Sequence, residues 1–452
     1  MNKKLMVLAV AGAIGAPGLA LAQTSNTPTS IVPSPGVASS NGITLYGRLD
    51  ETIMYDKYGA NATGTIPSFK KGDIYSPGNA MGVRGREDLG GGTAAWFQLE
   101  IGVWPSERLD TAATTGNNWG GRNSAIGFSS GIGDVLAGNW DTPYKQTFGV
   151  WNSVTSGGFS AAGILMGNGD TTGALNNALC QTTTSNTTGS IGLVAPAANS
   201  CVTEATANNT AWSRRINNSI QYWSPIFAGF QVKLMTALAT YQSPGSTAQA
   251  AAFPSGLPKA KEYSANATWV RGPLSVGFGY DAHQGLRDIS NAGANTQVKD
   301  TAWQLGAKWN FGPGEIGAAY ETLSYGEQAA NVGKLTVPTW VVNGRFNVGP
   351  GAIWASYSSS DAKSCSVATT AVGSAVCGMK PKMYVLGYDY VLSKRTKMYV
   401  AYTKIDNQSN GVIGTNYYYI AGPAGNNANG TASGVQAGTD VTTMGVGIQH
   451  VF

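Results

Sequence analysis

From Ile43 to the end of the chain, apolar and polar residues alternate in short runs with a period of two. In the last run, Met444, Val446, Ile448, His450 and Phe452 share one face, and Gly445, Gly447, Gln449 and Val451 share the other. In TLYGRLD, Leu45 and Leu49 oppose Tyr46, Arg48 and Asp50. Further on, Phe230, Val232 and Leu234 oppose Gln231 and Lys233, and Trp303, Leu305, Ala307 and Trp309 oppose Gln304, Gly306 and Lys308. Near the end, Tyr384, Leu386, Tyr388 and Tyr390 oppose Val385, Gly387 and Asp389. Period two is the signature of strands. Faces that carry full charges suit a water-filled lumen better than a packed sandwich core, because a buried charge without a partner is costly.

Short Gly- and Pro-bearing turns punctuate these runs at 87–92, 129–133, 224–229, 271–273, 311–314, 348–351 and 392–396. Such residues supply the backbone angles of tight hairpins. Seven turns join fourteen strands; a first strand from Ile43 and a last over 440–452 bring the total to sixteen. The expected fold is all-β, a 16-stranded antiparallel transmembrane β-barrel, since an even number closes the sheet and removes its edges. The longest insertion, 141–212, follows the fifth strand, and a wide barrel accommodates it by folding it into the lumen.

Composition agrees with a barrel. Charged residues make up 12% of the chain, against about 25% in ordinary soluble domains, while Gly numbers 61, Tyr 20 and Trp 12. Residues 1–22 read as a secretory signal peptide: Lys3 and Lys4 precede the apolar run Leu5–Ala16 and a small-residue site at Ala20-Leu21-Ala22. Residues 23–42, rich in Ser, Thr and Pro, read as a flexible leader ahead of a barrel domain spanning 43–452. Without Lys3 and Lys4 the net charge of +5 becomes +3, too little to imply nucleic acid. The cysteines are Cys180, Cys201, Cys365 and Cys377; an even count in an exported chain suggests disulfides, with proximity favouring Cys180–Cys201 and Cys365–Cys377.

Five blocks, ITLYGRLD (43–50), MGVRGREDLGGGTAAWFQLE (81–100), NNSIQYWSPIFAGF (217–230), YVLGYDYVLSKRTKMYVAY (384–402) and the terminal GIQHVF, taken in order, resemble the trimeric Gram-negative porins of the betaproteobacterial general type. The resemblance implies a homotrimer in the outer membrane, in contact with lipid and lipopolysaccharide, that lets ions and small hydrophilic solutes diffuse passively. It also implies that the third long loop folds inward as the constriction, and that the terminal Phe452 is the signal read by the barrel assembly machinery. Basic wall residues would then face that loop: Arg48, Arg84, Arg86 and Arg122 on early strands, with Arg215, Lys233, Lys308 and Arg345 beyond, and Asp141 where the loop starts. Asn139 stands where the family often has arginine, and 141–212 holds only Asp141, Asp170 and Glu204 as acids. An arginine-rich, carboxylate-poor ring favours anions. Alternatively, several of these arginines pair with Asp50, Glu87, Asp88 or Glu100 and stiffen the wall.

Little points to catalysis or a cofactor. Gly312, Gly314 and Gly317 match a dinucleotide fingerprint, but Pro313 lies within it, on a hairpin, and no helix follows. His283 has Asp281 nearby but no serine motif, and His450 falls on the lipid face. With two histidines and no CxxC, the sequence argues against a zinc site. The rival readings are a substrate-specific channel, with Tyr144, Phe148, Trp151 and Phe159 as an aromatic track, and a barrel adhesin or hydrolase.

Overall fold

The structure, a computed structural model, describes residues 42–60, 67–103, 105–106, 120–154, 159–160, 166–168, 200–201, 212–237, 261–288, 297–326, 335–361, 380–407 and 438–452. The expected signal segment, Cys180, Cys365 and Cys377 lie outside them, as does the leader apart from Gly42. The strands are β1 (Gly42–Tyr58), β2 (Phe69–Tyr75), β3 (Ala80–Gly90), β4 (Thr93–Gly102), β5 (Ser124–Ser130), β6 (Gly133–Asp141), β7 (Ser200–Cys201), β8 (Arg215–Trp223) and β9 (Phe230–Ala237). They continue as β10 (Lys261–Arg271), β11 (Leu274–Asp288), β12 (Gln297–Asn310), β13 (Gly314–Tyr325), β14 (Leu335–Val348), β15 (Gly351–Ser360), β16 (Lys382–Val391), β17 (Thr396–Asp406) and β18 (Val441–Val451).

Every pairing is antiparallel, and consecutive wall strands are neighbours. β2 covers residues 52–58 of β1 and β3 covers 42–48, so the two form one wall strand interrupted at Ser76–Asn79. β7 adds two residues to the end of β11. The wall is therefore the sixteen-stranded closed barrel that the alternation predicts. Closure runs through β1 and β18, from Arg48 opposite Val451 to Tyr58 opposite Val441. At that seam Phe452 and Gly47 exchange both main-chain hydrogen bonds, at 3.0 and 3.1 Å. Closure satisfies every wall strand on both sides, the condition for crossing a bilayer with strands. No helix among the described residues is long and apolar enough to cross.

The two faces divide as the sequence indicates. Ile43, Leu45, Ile53, Leu305, Leu386, Met444, Val446 and Ile448 are exposed on the outside, whereas Asp50, Thr52, Asp56, Gln98, Glu100 and Asp389 are buried inside. Outward aromatics gather near both rims. Trp309, Phe311 and Phe346 sit together near the short-turn end, and Trp303 packs on Tyr320 toward the other. Aromatic girdles of this kind flank the apolar band of an outer-membrane barrel.

Candidate functional site: the inward loop and the charged lumen

The chain leaves β6 at Asp141 and turns into the barrel at once. Thr142 caps the short helix α1 (Pro143–Gln146), its hydroxyl accepting from Lys145 N at 3.2 Å, and Pro143 occupies the first turn, where a missing N–H costs nothing. A second four-residue helix, α2 (Phe148–Trp151), follows directly. Both lie against the inner wall. Asn266 on β10 donates to Pro143 O (2.8 Å), and Gln304 on β12 donates to Tyr144 O (2.9 Å) while accepting from Trp151 Nε1 (2.9 Å). Asn343 on β14 accepts from Ser153 N at 2.8 Å. Glu321 on β13 accepts from the Tyr144 hydroxyl and from Gly167 N. Burial and the Glu321 carboxylate hold the Tyr144 phenol well above its usual range, so it donates at any physiological pH.

Two wall glycines make this docking possible. A Cβ on Gly317 would sit 1.9 Å from Trp151 O, and one on Gly306 would sit 2.2 Å from the Trp151 ring. Tyr144, Phe148, Trp151 and Phe159 are all enclosed. Phe159 reaches the far side of the lumen, edge-on to Tyr399 of β17 and close to Gly445 of β18. These aromatics anchor the loop and do not line a track, which removes the sequence argument for a specific channel built on them. The returning limb docks through Trp212, whose Nε1 donates to Tyr325 OH at 3.0 Å.

The predicted basic residues divide into two groups. Arg48 is buried and donates to Pro77 O and Gly78 O, at 3.3 and 2.9 Å. Arg122 is buried too, with Nε 2.8 Å from Glu100 Oε1. It lies in the bend ahead of β5 and not on a strand as the sequence suggests, because Asn139 donates to Gly120 O and Arg122 O and holds that bend in place. Burial lowers the Arg122 pKa to about 10, which leaves it charged at neutral pH. The Arg122–Glu100 pair realises the wall-stiffening alternative for that arginine. Half-buried Arg84 and Arg86 lie inside β3, with the Arg84 guanidinium 5.2 Å from the centre of the Tyr46 ring. Arg215 reaches Asp141 at 3.3 Å, and Lys145 reaches the same carboxylate at 2.6 Å. Lys233 stands over Trp223 at 3.9 Å and donates to Gln146 at 2.6 Å. On the opposite wall Asp389 binds both Arg345 (2.7 Å) and Lys397 (3.3 Å).

A profile of the Gram-negative porins matches residues 7–410. The chain belongs to the Gram-negative porin family. Over the full length of both chains this porin is 26% identical to outer membrane porin protein 32 of Delftia acidovorans. It is 31% identical over 125 residues to major outer membrane protein P.IB of Neisseria gonorrhoeae, a match covering 27% of this chain and about a third (34%) of that protein's length. Among solved structures, an anion-selective porin from Comamonas acidovorans superposes with a TM-score of 0.61 at 22% identity, over 91% of this chain and all of the other. A trimer form of OmpT from Vibrio cholerae superposes at 0.52 with 12% identity, over 92% and 100% of the two chains. Membership places the protein in the outer membrane.

Sequence reading missed two contributors to this porin's charge pattern. Lys145 is hidden in a loop that has no periodicity to read. Lys397 sits next to a turn, and only the β16–β17 register brings it beside Asp389.

Proposed function

We propose that this porin is a water-filled channel for passive diffusion of ions and small hydrophilic solutes, narrowed by its inward loop and selective for anions. One observation carries the selectivity: at both Asp141 and Asp389 a single buried carboxylate holds two cations. Each carboxylate is therefore outnumbered, at Asp141 with Lys145 charged below about pH 7, and half-buried Arg84 and Lys233 add to the positive side. In a lumen of low dielectric walls that surplus concentrates anions and repels cations. The full-length Delftia relative and the anion-selective Comamonas structure support the same reading. Arg84, Arg86, Asp141, Arg215 and Lys233 set the constriction in this proposal, while buried Arg48 and the Glu100-paired Arg122 hold the wall behind it.

The assembly is a homotrimer embedded in lipid and lipopolysaccharide, with Phe452 read by the barrel assembly machinery. Cys180 pairs with Cys201 and Cys365 with Cys377. The test is a planar bilayer recording under a tenfold KCl gradient. The expected result is conductance in steps of three with a reversal potential of anion sign, moved toward zero in an Arg84→Gln, Arg86→Gln variant. A cation-sign potential in the unaltered protein overturns the selectivity, and no conductance overturns the channel.

A further inference from the structure

The long-loop end of the β10–β11 pair carries a cluster that the constriction does not use. The register places Glu262 directly opposite His283, and Asp281, two residues before His283, shares its inward face. His283 Nε2 lies 3.6 Å from Asp281 Oδ1 and 3.8 Å from Glu262 Oε1, and one ligand atom from each residue falls within 4.8 Å of the others. All three side chains are no more than 1% exposed. Ligand atoms at about 2.1 Å from a tetrahedral zinc ion stand about 3.4 Å apart. The two separations from His283 need contract by only a few tenths of an ångström to reach that spacing, and the two carboxylate oxygens lie within 4.8 Å of each other.

Two further observations point to a ligand. Neither carboxylate oxygen of the enclosed Asp281 meets a hydrogen-bond donor at bonding geometry among the described residues. Neighbouring Ser264 directs its hydroxyl to Tyr280 O at 3.3 Å and accepts from Tyr144 N at 2.9 Å. Two buried carboxylates also face each other here, with Arg214 Nε 3.5 Å from Glu262 Oε2. Burying like charges together is costly unless a cation lies between them. The His283 ring is held in place by Trp212, stacked on it at 3.8 Å and 17°. An imidazole nitrogen binds metal in the ring plane, and Trp212 lies against the ring face.

We propose that Glu262, Asp281 and His283 form a site for one divalent transition-metal ion of the zinc type, tying β10 to β11 beneath the returning limb of the inward loop. One nitrogen and two carboxylate oxygens suit such an ion, with a fourth position left for water. The inference goes beyond the channel reading and does not depend on it.

The experiment is zinc titration of the untagged, detergent-solubilised porin after chelator treatment, with bound metal counted by elemental analysis. Folding is checked by the heat-dependent gel shift typical of barrels. The expected result is about one equivalent of zinc, with affinity lowered at least about 10-fold in Asp281→Asn and in His283→Gln. His450→Gln, which removes the other histidine, leaves binding unchanged. X-ray absorption at the zinc edge of the unaltered protein provides a check independent of how the variants fold, and should show one imidazole with oxygen ligands. No stoichiometric binding, equal affinity in the folded variants, or a zinc edge without imidazole would each overturn the site.

Discussion

Lys145 is the residue whose chemistry most directly connects structure to behaviour. Burial, opposed by Asp141 and reinforced by Arg215, lowers its pKa to about 7. Below that pH the ammonium is charged, and Asp141, Lys145 and Arg215 together carry about one positive charge. Above it Lys145 is neutral and the cluster carries none. Anion preference should therefore fall as pH rises through about 7, read as the chloride-to-potassium permeability ratio between pH 5 and 9. In Lys145→Met the ratio should vary little across that window. A ratio that rises with pH, or an unaltered profile in the variant, would refute the assignment. Arg122 behaves differently because Glu100 compensates it and its pKa stays near 10.

At the scale of elements, the described first limb of the inward loop, 141–154, is held by contacts with five successive wall strands. Four-residue helices such as α1 and α2 do not persist in isolation. They hold here because Tyr144, Phe148 and Trp151 are buried against β10–β14 and because main-chain groups of the loop meet wall side chains. Gly317 tests this. A valine there favours the strand by intrinsic preference, yet its Cβ would collide with Trp151 O. Gly317→Val should therefore keep a folded barrel but displace α2, giving larger and noisier single-channel conductance. Unchanged conductance would show that the loop does not narrow the lumen.

For the whole molecule, the governing fact is that the wall closes on itself. The β1–β18 seam joins the first and last strands, and the Phe452 side chain lies over Gly47: a Cβ there would meet the Phe452 ring at 2.3 Å. Phe452→Ala keeps the main-chain pair but removes the ring. The expected outcome is less heat-modifiable, folded porin in the outer membrane, with the conductance of each folded channel unaltered. Normal folded yield would dismiss Phe452 as an assembly determinant.

Alternation and the spacing of the short turns determined the barrel. A period of two fixes which side chains meet lipid and which meet water, so strand number, inward Arg84 and Arg86, outward Ile448 and the lipid-side His450 were all legible from residue order. Short Gly-Pro turns set the pairing between neighbours, because a tight hairpin fixes register locally. Tertiary structure decided what periodicity does not encode. The loop has no repeat, so only its docking shows that its aromatics are anchors and that Lys145 shares Asp141 with Arg215. Arg122 and Glu100 lie on separate elements, and their pairing depends on the bend that Asn139 holds. Glu262 and His283 are separated by a hairpin of twenty intervening residues, and the β10–β11 register alone places them opposite each other. The face a side chain takes follows from its place in the strand, while the partner it finds there follows from how the sheet closes around it.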